Sequence, residues 1–164
     1  MESLILEFGK WLLEDWVINP STGLPIAAGV LLICKKSGRL LPNMRGRSVA
    51  AGNTVSTWGG ALDEGETPEK AVEREVREET GYGGNIELIP SFIFRNEKYE
   101  YHNFIGLVEN EFKPMLNWES NSMNWMTWEE LNEMSHKWHP AFKSFINNSK
   151  SHIEKLLAPS GGKS

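Results

Sequence analysis

Three glutamates fall close together on one predicted helix of this 164-residue chain, shortly after a glycine-rich turn. At roughly 100° per residue, with Glu75 at zero, Glu79 lies at about 40° and Glu78 at about 300°. Like-charged neighbours of this kind destabilise an isolated helix by roughly 0.2–0.5 kcal/mol per pair, so stability alone disfavours the arrangement. Because hard divalent cations bind carboxylate and phosphate oxygens, the face predicts a metal–phosphate site.

The helix that carries these glutamates is predicted at Pro68–Thr80, with signals at both ends. Thr67 suits the N-cap, and Gly81 suits the left-handed residue that often follows a helix. A solvated, ion-paired surface helix is the alternative interpretation, and Arg74 stands at i,i+4 spacing from Glu78 for such a pair. The crowding of like charges on one face favours the metal site.

The fixed residues of this segment resemble the signature of the Nudix hydrolase family, of the MutT-like kind. Every invariant position of that signature is filled, namely by Gly60, Glu66, Arg74, Glu75, Glu78, Glu79 and Gly81. Seven fixed residue types at fixed spacing arise by chance with a probability on the order of one in a million. The one departure is Tyr82, where an aliphatic residue is usual, and it does not touch the chemistry.

The resemblance implies an α/β fold, an α/β/α sandwich around a mixed β-sheet, and a role for each motif residue. Glu75, Glu78 and Glu79 would ligate Mg²⁺, with Mn²⁺ as the other candidate ion. Arg74 would orient a glutamate ligand through an ion pair. Gly60 would let the backbone turn tightly or approach the substrate. Structural roles fall to two further motif positions, Glu66 and Gly81.

The implied reaction is metal-dependent hydrolysis of a diphosphate bond in a nucleoside diphosphate-linked substrate, by a pyrophosphohydrolase. Bound metal would neutralise the diphosphate and acidify a water, and a carboxylate would take the proton. Glu79 is one candidate base. In this family the base also comes from outside the motif, where Glu97, Glu100 and Glu119 are candidates. Glu119 is preferred, because it precedes a stretch similar to the family's strand and helix near the site.

The rest of the substrate depends on residues outside the motif. We expect a nucleoside triphosphate or related nucleotide, while a dinucleoside polyphosphate and a nucleotide sugar stay open. Arg45 and Arg47 lie in a predicted loop, where they contact either phosphates or only solvent. Trp58 and Tyr99 are candidates to stack on a base, with packing as the alternative. Tyr99 also follows the motif at a distance similar to that of a tyrosine noted in dinucleoside polyphosphate hydrolases.

Two other functional classes compete with a hydrolase. A non-catalytic, nucleotide-sensing Nudix module is one, and the complete motif disfavours it. A Nudix-fold isomerase acting on an isoprenoid diphosphate is the other. That class needs a reactive cysteine, whereas the lone Cys34 lies in an apolar run typical of a buried strand.

The elements that must position the motif show no regular βαβ alternation, which predicts a mixed sheet covered by helices. Strands are predicted at 26–35, 39–41, 55–62, 85–95, 99–108 and 124–127, and helices at 2–16, 68–80, 128–135 and 140–157. The N-terminal helix has one apolar stripe, formed by Ile5, Phe8, Leu12 and Trp16. This stripe covers the chain's own sheet or serves a homodimer. We predict a single domain at 1–158 and a flexible tail at 159–164.

The charge and composition of the chain limit the kinds of partner that it is expected to bind. The net charge is −5 with no block of like charges, so neither a nucleic-acid polymer nor a membrane surface is expected as a partner. No apolar run approaches the roughly 20 residues of a transmembrane helix. The single cysteine fits a reducing cytoplasm, which is the expected location. An acidic chain that binds a small polyphosphate must offset charge repulsion, and divalent cations are the common solution, in agreement with the expected Mg²⁺.

Overall fold

The computed structural model describes residues 16–45, 53–115 and 123–158. The predicted N-terminal helix, apart from Trp16, and the predicted tail lie outside these residues, as do Arg47 and Glu119. The domain boundaries at 1–158 and the homodimer therefore stay predictions.

The described part of the chain contains short and long strands together with three α-helices. The strands are β1 (Ile26–Cys34), β2 (Leu40–Leu41), β3 (Asn43–Met44), β4 (Val55–Ser56), β5 (Trp58–Ala61), β6 (Glu87–Arg95) and β7 (Glu100–Val108). The helices are α1 (Pro68–Thr80), α2 (Trp128–Glu133) and α3 (Pro140–Leu157), with a 3₁₀ turn at Ser135–Lys137. Among these residues, no helix has the length and apolar character of a membrane span.

The main sheet is mixed, as predicted. β1 runs parallel to β7 along its whole length, from the pair Ile26–Glu100 to the pair Cys34–Val108. β2 and β5 pair with β1 in antiparallel fashion, and β6 pairs in the same way with β7. β3 and β4 form a separate antiparallel pair. The sheet therefore contains both kinds of pairing, and β1 lies in its centre.

Two apolar clusters cover the two faces of this sheet, because successive residues of a strand point to opposite sides. Val30 and Leu32 of β1 pack with Val72 and Val76 of α1 in one cluster. Leu31, between them, packs in the other cluster, whose α3 members are Phe142, Phe145, Ile146 and Ile153. The fold is thus an α/β/α sandwich, in agreement with the expectation.

Several element boundaries match their predicted residues, and others differ. α1 and α3 begin and end as predicted, whereas the strand predicted at 55–62 is divided at Thr57 into β4 and β5. The strand predicted at 124–127 is wrong, because only Met126 pairs there, in a single bridge with Leu40. Since β2 has two residues, it offers no partner for a longer ladder.

Candidate active site

The turn between β5 and α1 is closed by Glu66. Its Oε1 accepts a hydrogen bond from the backbone N–H of Asp63 at 2.7 Å, and its own N–H donates to the Asp63 carbonyl at 3.0 Å. Gly65 has a φ of +82°, a conformation that glycine adopts at no steric cost. Thr67 then caps α1, its hydroxyl accepting from the N–H of Lys70 at 3.2 Å. Local sequence therefore fixes where the glutamate helix starts.

Arg74 is the centre of a polar network that joins this turn to the helix. Its Nε and Nη2 donate to the two oxygens of Glu66 at 2.7 and 3.0 Å, a bidentate pair. Nη2 also donates to the carbonyl of Ala61 at 3.1 Å. Nη1 donates to Glu75 and to Glu78, at 3.2 Å in each case. One guanidinium thus positions three motif glutamates against the end of β5.

The charges of this network support one another. The hydrogen bond from Arg74 holds the pKa of the Glu66 carboxyl below its usual range. The same bond, with the charges of Glu75 and Glu66 behind it, holds the pKa of Arg74 above its usual range in spite of partial burial. Arg74 and Glu66 therefore keep their charges across the ordinary range of pH.

Glu79 lies where α1 meets β5, and it is almost fully buried. Only 5% of its surface is exposed, and its Oε1 accepts from the N–H of Gly59 at 3.1 Å. Glu75 approaches the next residue of the strand, because a Cβ on Gly60 would lie 2.5 Å from Glu75 Oε2. The glycine at position 60 therefore makes the space into which Glu75 fits.

The structure brings most of the predicted motif residues together where α1 packs against β5. The donor set suits a hard divalent cation, since it consists of carboxylate oxygens beside a glycine-rich strand. Within residues 16–45, 53–115 and 123–158, no three acidic, histidine or cysteine side chains already stand in metal-binding arrangement. Glu75 and Glu78 contact Arg74 instead, so a cation would compete with the guanidinium for these carboxylates.

Trp58 and Tyr99, the candidates for base stacking, lie in the core. Trp58 is 0% exposed, and its Nε1 donates to the Leu41 carbonyl at 2.9 Å. Tyr99 is also 0% exposed and packs near Phe94 and Trp16, and burial raises its pKa to about 12. Both rings are covered by their neighbours, so packing describes them better than stacking on a substrate.

Glu100 has structural partners that set it apart from the other candidate bases. It is 1% exposed and accepts from Arg95 at 3.1 Å and from Asn19 at 3.2 Å. A His102 ring nitrogen lies 2.6 Å from its other oxygen. Burial raises the pKa of Glu100, but these hydrogen bonds outweigh it and lower the pKa. Glu97 lies exposed in the turn between β6 and β7.

A small cleft with several polar side chains, here called the polar cleft, lies on the side of the sheet that α3 covers, and it reaches Gly59, whose N–H donates to Glu79. Its volume is about 30 Å³, and it is lined by Arg45, Ser56, Thr57, Gly59, Tyr101, Asn103, His139, Ala141 and Phe142. The Tyr101 and Thr57 hydroxyls lie 3.0 Å apart. Burial raises the pKa of Tyr101, and the nearby charges of Glu79 and Glu75 raise it further. The sequence did not indicate that His139 would stand here, since no local pattern links it to the motif.

The sequence matches the model of the NUDIX domain family over residues 23–148. The chain therefore belongs to the Nudix family. It is a pyrophosphohydrolase, an enzyme that cleaves pyrophosphate bonds in nucleotide-type substrates, and the resemblance found in the motif is confirmed.

Solved Nudix structures share the fold at low identity. A Nudix hydrolase from M. smegmatis, RenU, has a TM-score of 0.67 and 22% identity, over 86% of this chain and 92% of that chain. A MutT protein from Methanosarcina mazei Go1 has a TM-score of 0.63 and 19% identity, over 82% and 95%. A C. elegans Ap4A hydrolase has a TM-score of 0.63 and 16% identity, over 79% and 98%. No curated protein matches the sequence significantly.

Proposed function

We propose that the chain hydrolyses a diphosphate bond of a nucleoside triphosphate or a related nucleotide, with Mg²⁺ or Mn²⁺ held by Glu75, Glu78 and Glu79. One observation carries the proposal. The Glu79 carboxylate is buried against the Gly59 N–H, and Glu75 stands beside the next residue of the strand in a space that a Cβ on residue 60 would fill. A strand and a helix that pack only for stability have no need of two carboxylates at this junction.

The chain's own residues would divide the work in the following way. When bound, a divalent cation neutralises the diphosphate and lowers the pKa of a water. Arg74 holds Glu66 and the glutamates of the helix face in place through the hydrogen bonds described above. Glu79 is the proposed proton acceptor within the motif. Glu119, outside the described residues, stays the proposed alternative.

The substrate beyond the diphosphate is the less constrained part of the proposal. Solved chains that share this fold include an Ap4A hydrolase from C. elegans and, over 46% of its length, a bifunctional NMN adenylyltransferase/ADP ribose pyrophosphatase from Francisella tularensis. The fold thus accompanies several substrates, and function depends on the individual site. A dinucleoside polyphosphate and a nucleotide sugar are therefore the second candidates. The proposed location is the cytoplasm.

Turnover of a substrate panel tests the proposal directly. The purified protein is incubated with nucleoside triphosphates, a dinucleoside polyphosphate, ADP-ribose and a nucleotide sugar, with Mg²⁺, with Mn²⁺ or with chelator. Released phosphate and pyrophosphate are measured, and Glu78→Gln is run in parallel. We expect metal-dependent cleavage of a triphosphate that the variant loses. Tight, metal-dependent nucleotide binding with no turnover would replace the proposal by a nucleotide-sensing module.

Glu73→Gln is the matched control for these variants. Glu73 lies on the same helix, but its side chain is 42% exposed and faces Lys70 at 4.0 Å rather than the glutamate face. The substitution removes one negative charge from α1, as Glu78→Gln does, and we expect it to leave turnover unchanged. Loss of activity in both variants would mean that turnover depends on the total charge of α1 and not on a carboxylate at position 78.

A further inference from the structure

His139 begins α3 with its imidazole in the polar cleft, and it is only 3% exposed. Its Nδ1 accepts a hydrogen bond from the backbone N–H of Ala141 at 3.1 Å, so the ring serves as the N-cap of the helix. A ring nitrogen that accepts carries no proton. In the neutral imidazole the proton must then reside on Nε2. Burial and the positive charge of Arg45 lower the pKa of His139 to about 4, which keeps the ring neutral near pH 7.

The Nε2–H of His139 is therefore a buried donor, and among the described residues no atom accepts its hydrogen bond. Buried N–H groups are almost always paired with protein, water or ligand. An unpaired buried N–H has lost its hydrogen bond to water and gained no other in exchange, which costs free energy. The cleft around it, at about 30 Å³, has room for a water or a single substituent and not for a whole ring. An acceptor that enters from the substrate side would satisfy the donor.

The position of the cleft relates this donor to the site of hydrolysis. Gly59 lines the cleft, and the N–H of the same residue donates to Glu79. Arg45 lines the cleft as well, and a guanidinium carries only donors. The Nε2–H of His139 therefore favours an incoming group that accepts a hydrogen bond, while the hydroxyl and amide side chains that also line the cleft can donate or accept.

We propose that His139 is a specificity-determining residue whose Nε2–H donates to an exocyclic carbonyl oxygen of the nucleobase. Guanine and uracil carry such an oxygen, and adenine does not. The inference rests on the proposed function, since it requires a nucleotide bound at the glutamate face. A phosphate oxygen is the other acceptor that a nucleotide offers, and the test separates the two.

Nuclear magnetic resonance of protein with ¹⁵N-labelled histidine observes the donor without turnover. The probes are the non-hydrolysable α,β-methylene analogues of GTP and ATP, and methylenediphosphonate as the phosphate part alone, each with Mg²⁺. We expect the His139 ring to show the Nε2–H tautomer and its Nε2 signal to move with the GTP analogue and much less with the other two. An equal shift with methylenediphosphonate, or no shift with any probe, would overturn the assignment.

Kinetics of His139→Asn provide the second test. The asparagine side-chain oxygen still caps Ala141, and asparagine is a preferred N-cap, so the helix start is preserved while the Nε2–H is removed. We expect kcat/KM for GTP to fall by about tenfold, because the exocyclic carbonyl oxygen of guanine would lose its hydrogen-bond donor. We expect kcat/KM for ATP to change little, because adenine has no such oxygen. His136→Asn, the same substitution at an exposed site in the 3₁₀ turn, is the control and should match the parent.

The two tests separate this inference from the proposed function. Turnover of triphosphates with an unchanged preference in His139→Asn would reject the role of His139 and leave the hydrolase intact. Absence of any turnover, with the Nε2 signal still moved by the GTP analogue, would reject the hydrolase and keep the donor. Absence of both responses would reject both.

Discussion

The backbone N–H of Gly59 donates to the Glu79 carboxylate at 3.1 Å, across 20 residues of sequence. This bond fixes one end of the glutamate face against the strand that lines the polar cleft. Arg74 holds the other two glutamates of this face, Glu75 and Glu78. The helix face is therefore held at two places, and changes at either place should have separable effects on folding and on chemistry.

Glu79→Gln tests the charge of the buried carboxylate apart from its hydrogen bond. The amide oxygen of glutamine can still accept from Gly59, so the junction between α1 and β5 should persist. The lost charge removes both the proposed metal ligand and the proposed proton acceptor, and we expect turnover to fall by at least about 100-fold. Thermal unfolding and a kcat measurement on the best panel substrate check this pair of expectations.

If Glu79→Gln retains its turnover, Glu79 is not the general base, and Glu119 becomes the remaining proposed proton acceptor. A variant that instead fails to fold would show that the charge is needed for the junction. Circular dichroism at a temperature well below the unfolding midpoint distinguishes these cases. Glu73→Gln again provides the matched control on the exposed side of α1.

Gly60→Ala tests the space in which Glu75 stands. The new Cβ would lie 2.5 Å from Glu75 Oε2, a distance that forces the carboxylate to move. A displacement of about 1 Å at a catalytic group can lower the rate by roughly 100-fold, so we expect a marked fall in kcat. Stability should change little, because the atom that must move is the end of a flexible side chain.

Gly83→Ala is the matched control for this substitution. Within the described parts of the chain, no atom lies within 4 Å of a Cβ at Gly83, which follows the end of α1. Turnover in this variant should equal that of the parent. Equal losses at both positions would indicate that backbone flexibility, and not the space at Gly60, explains the effect.

How far the sequence predicts this molecule depends on the range of the interactions involved. The bounds of α1 follow from contacts within a few residues, such as the Thr67 hydroxyl on the N–H of Lys70 and the left-handed Gly81. The common face of the motif glutamates follows from helix geometry alone. Both were therefore predictable from residue type and spacing.

The features that the sequence did not predict depend on contacts between distant segments. β4 reaches the start of α3 through a bridge between Val55 and Trp138, and this bridge carries His139 to the cleft. Burial of Trp58 follows from the packing of α1 over the sheet, which a lone tryptophan in the sequence does not reveal. An aromatic residue near a motif has the same appearance in sequence whether it stacks or packs.

Arg74→Lys tests whether the guanidinium acts as a positioning group. Lysine keeps the charge but cannot make the bidentate pair with Glu66 or reach several acceptors at once. Substitution of a residue that orients metal ligands typically lowers metal affinity or activity by about 10–100-fold. We expect Arg74→Lys to lower both quantities within this range. Calorimetric titration with Mn²⁺ and the Mg²⁺ dependence of kcat measure the two quantities separately.

Arg77→Lys is the matched control, since Arg77 is an exposed arginine one turn further along the same helix. It should bind Mn²⁺ as the parent does. A lysine at position 74 with unchanged Mn²⁺ affinity and a lower unfolding midpoint would make Arg74 a purely structural residue.

The pKa of His139 predicts how stability depends on pH. The value in the folded protein is about 4, whereas a histidine in an unfolded chain titrates at about 6.5. Between these values the unfolded state binds more protons than the folded state. The contribution of His139 to the free energy of unfolding is therefore fully present above about pH 6.5 and is lost as the pH is lowered towards 4. The slope contributed by this one group is on the order of 1 kcal/mol per pH unit.

His139→Asn removes the titrating ring and keeps an N-cap, so its stability should vary less between about pH 6.5 and 4 while staying close to that of the parent near neutrality. Glu66 and Glu100, whose pKa values are lowered, contribute to acid unfolding as well, but they are present in both proteins and cancel in the difference. Urea unfolding at several pH values, with His136→Asn as the exposed control, measures that difference. Parallel curves for the parent and His139→Asn would mean that the buried ring accepts a proton without cost to the fold, and the assignment of Nε2–H as a neutral donor would have to be abandoned.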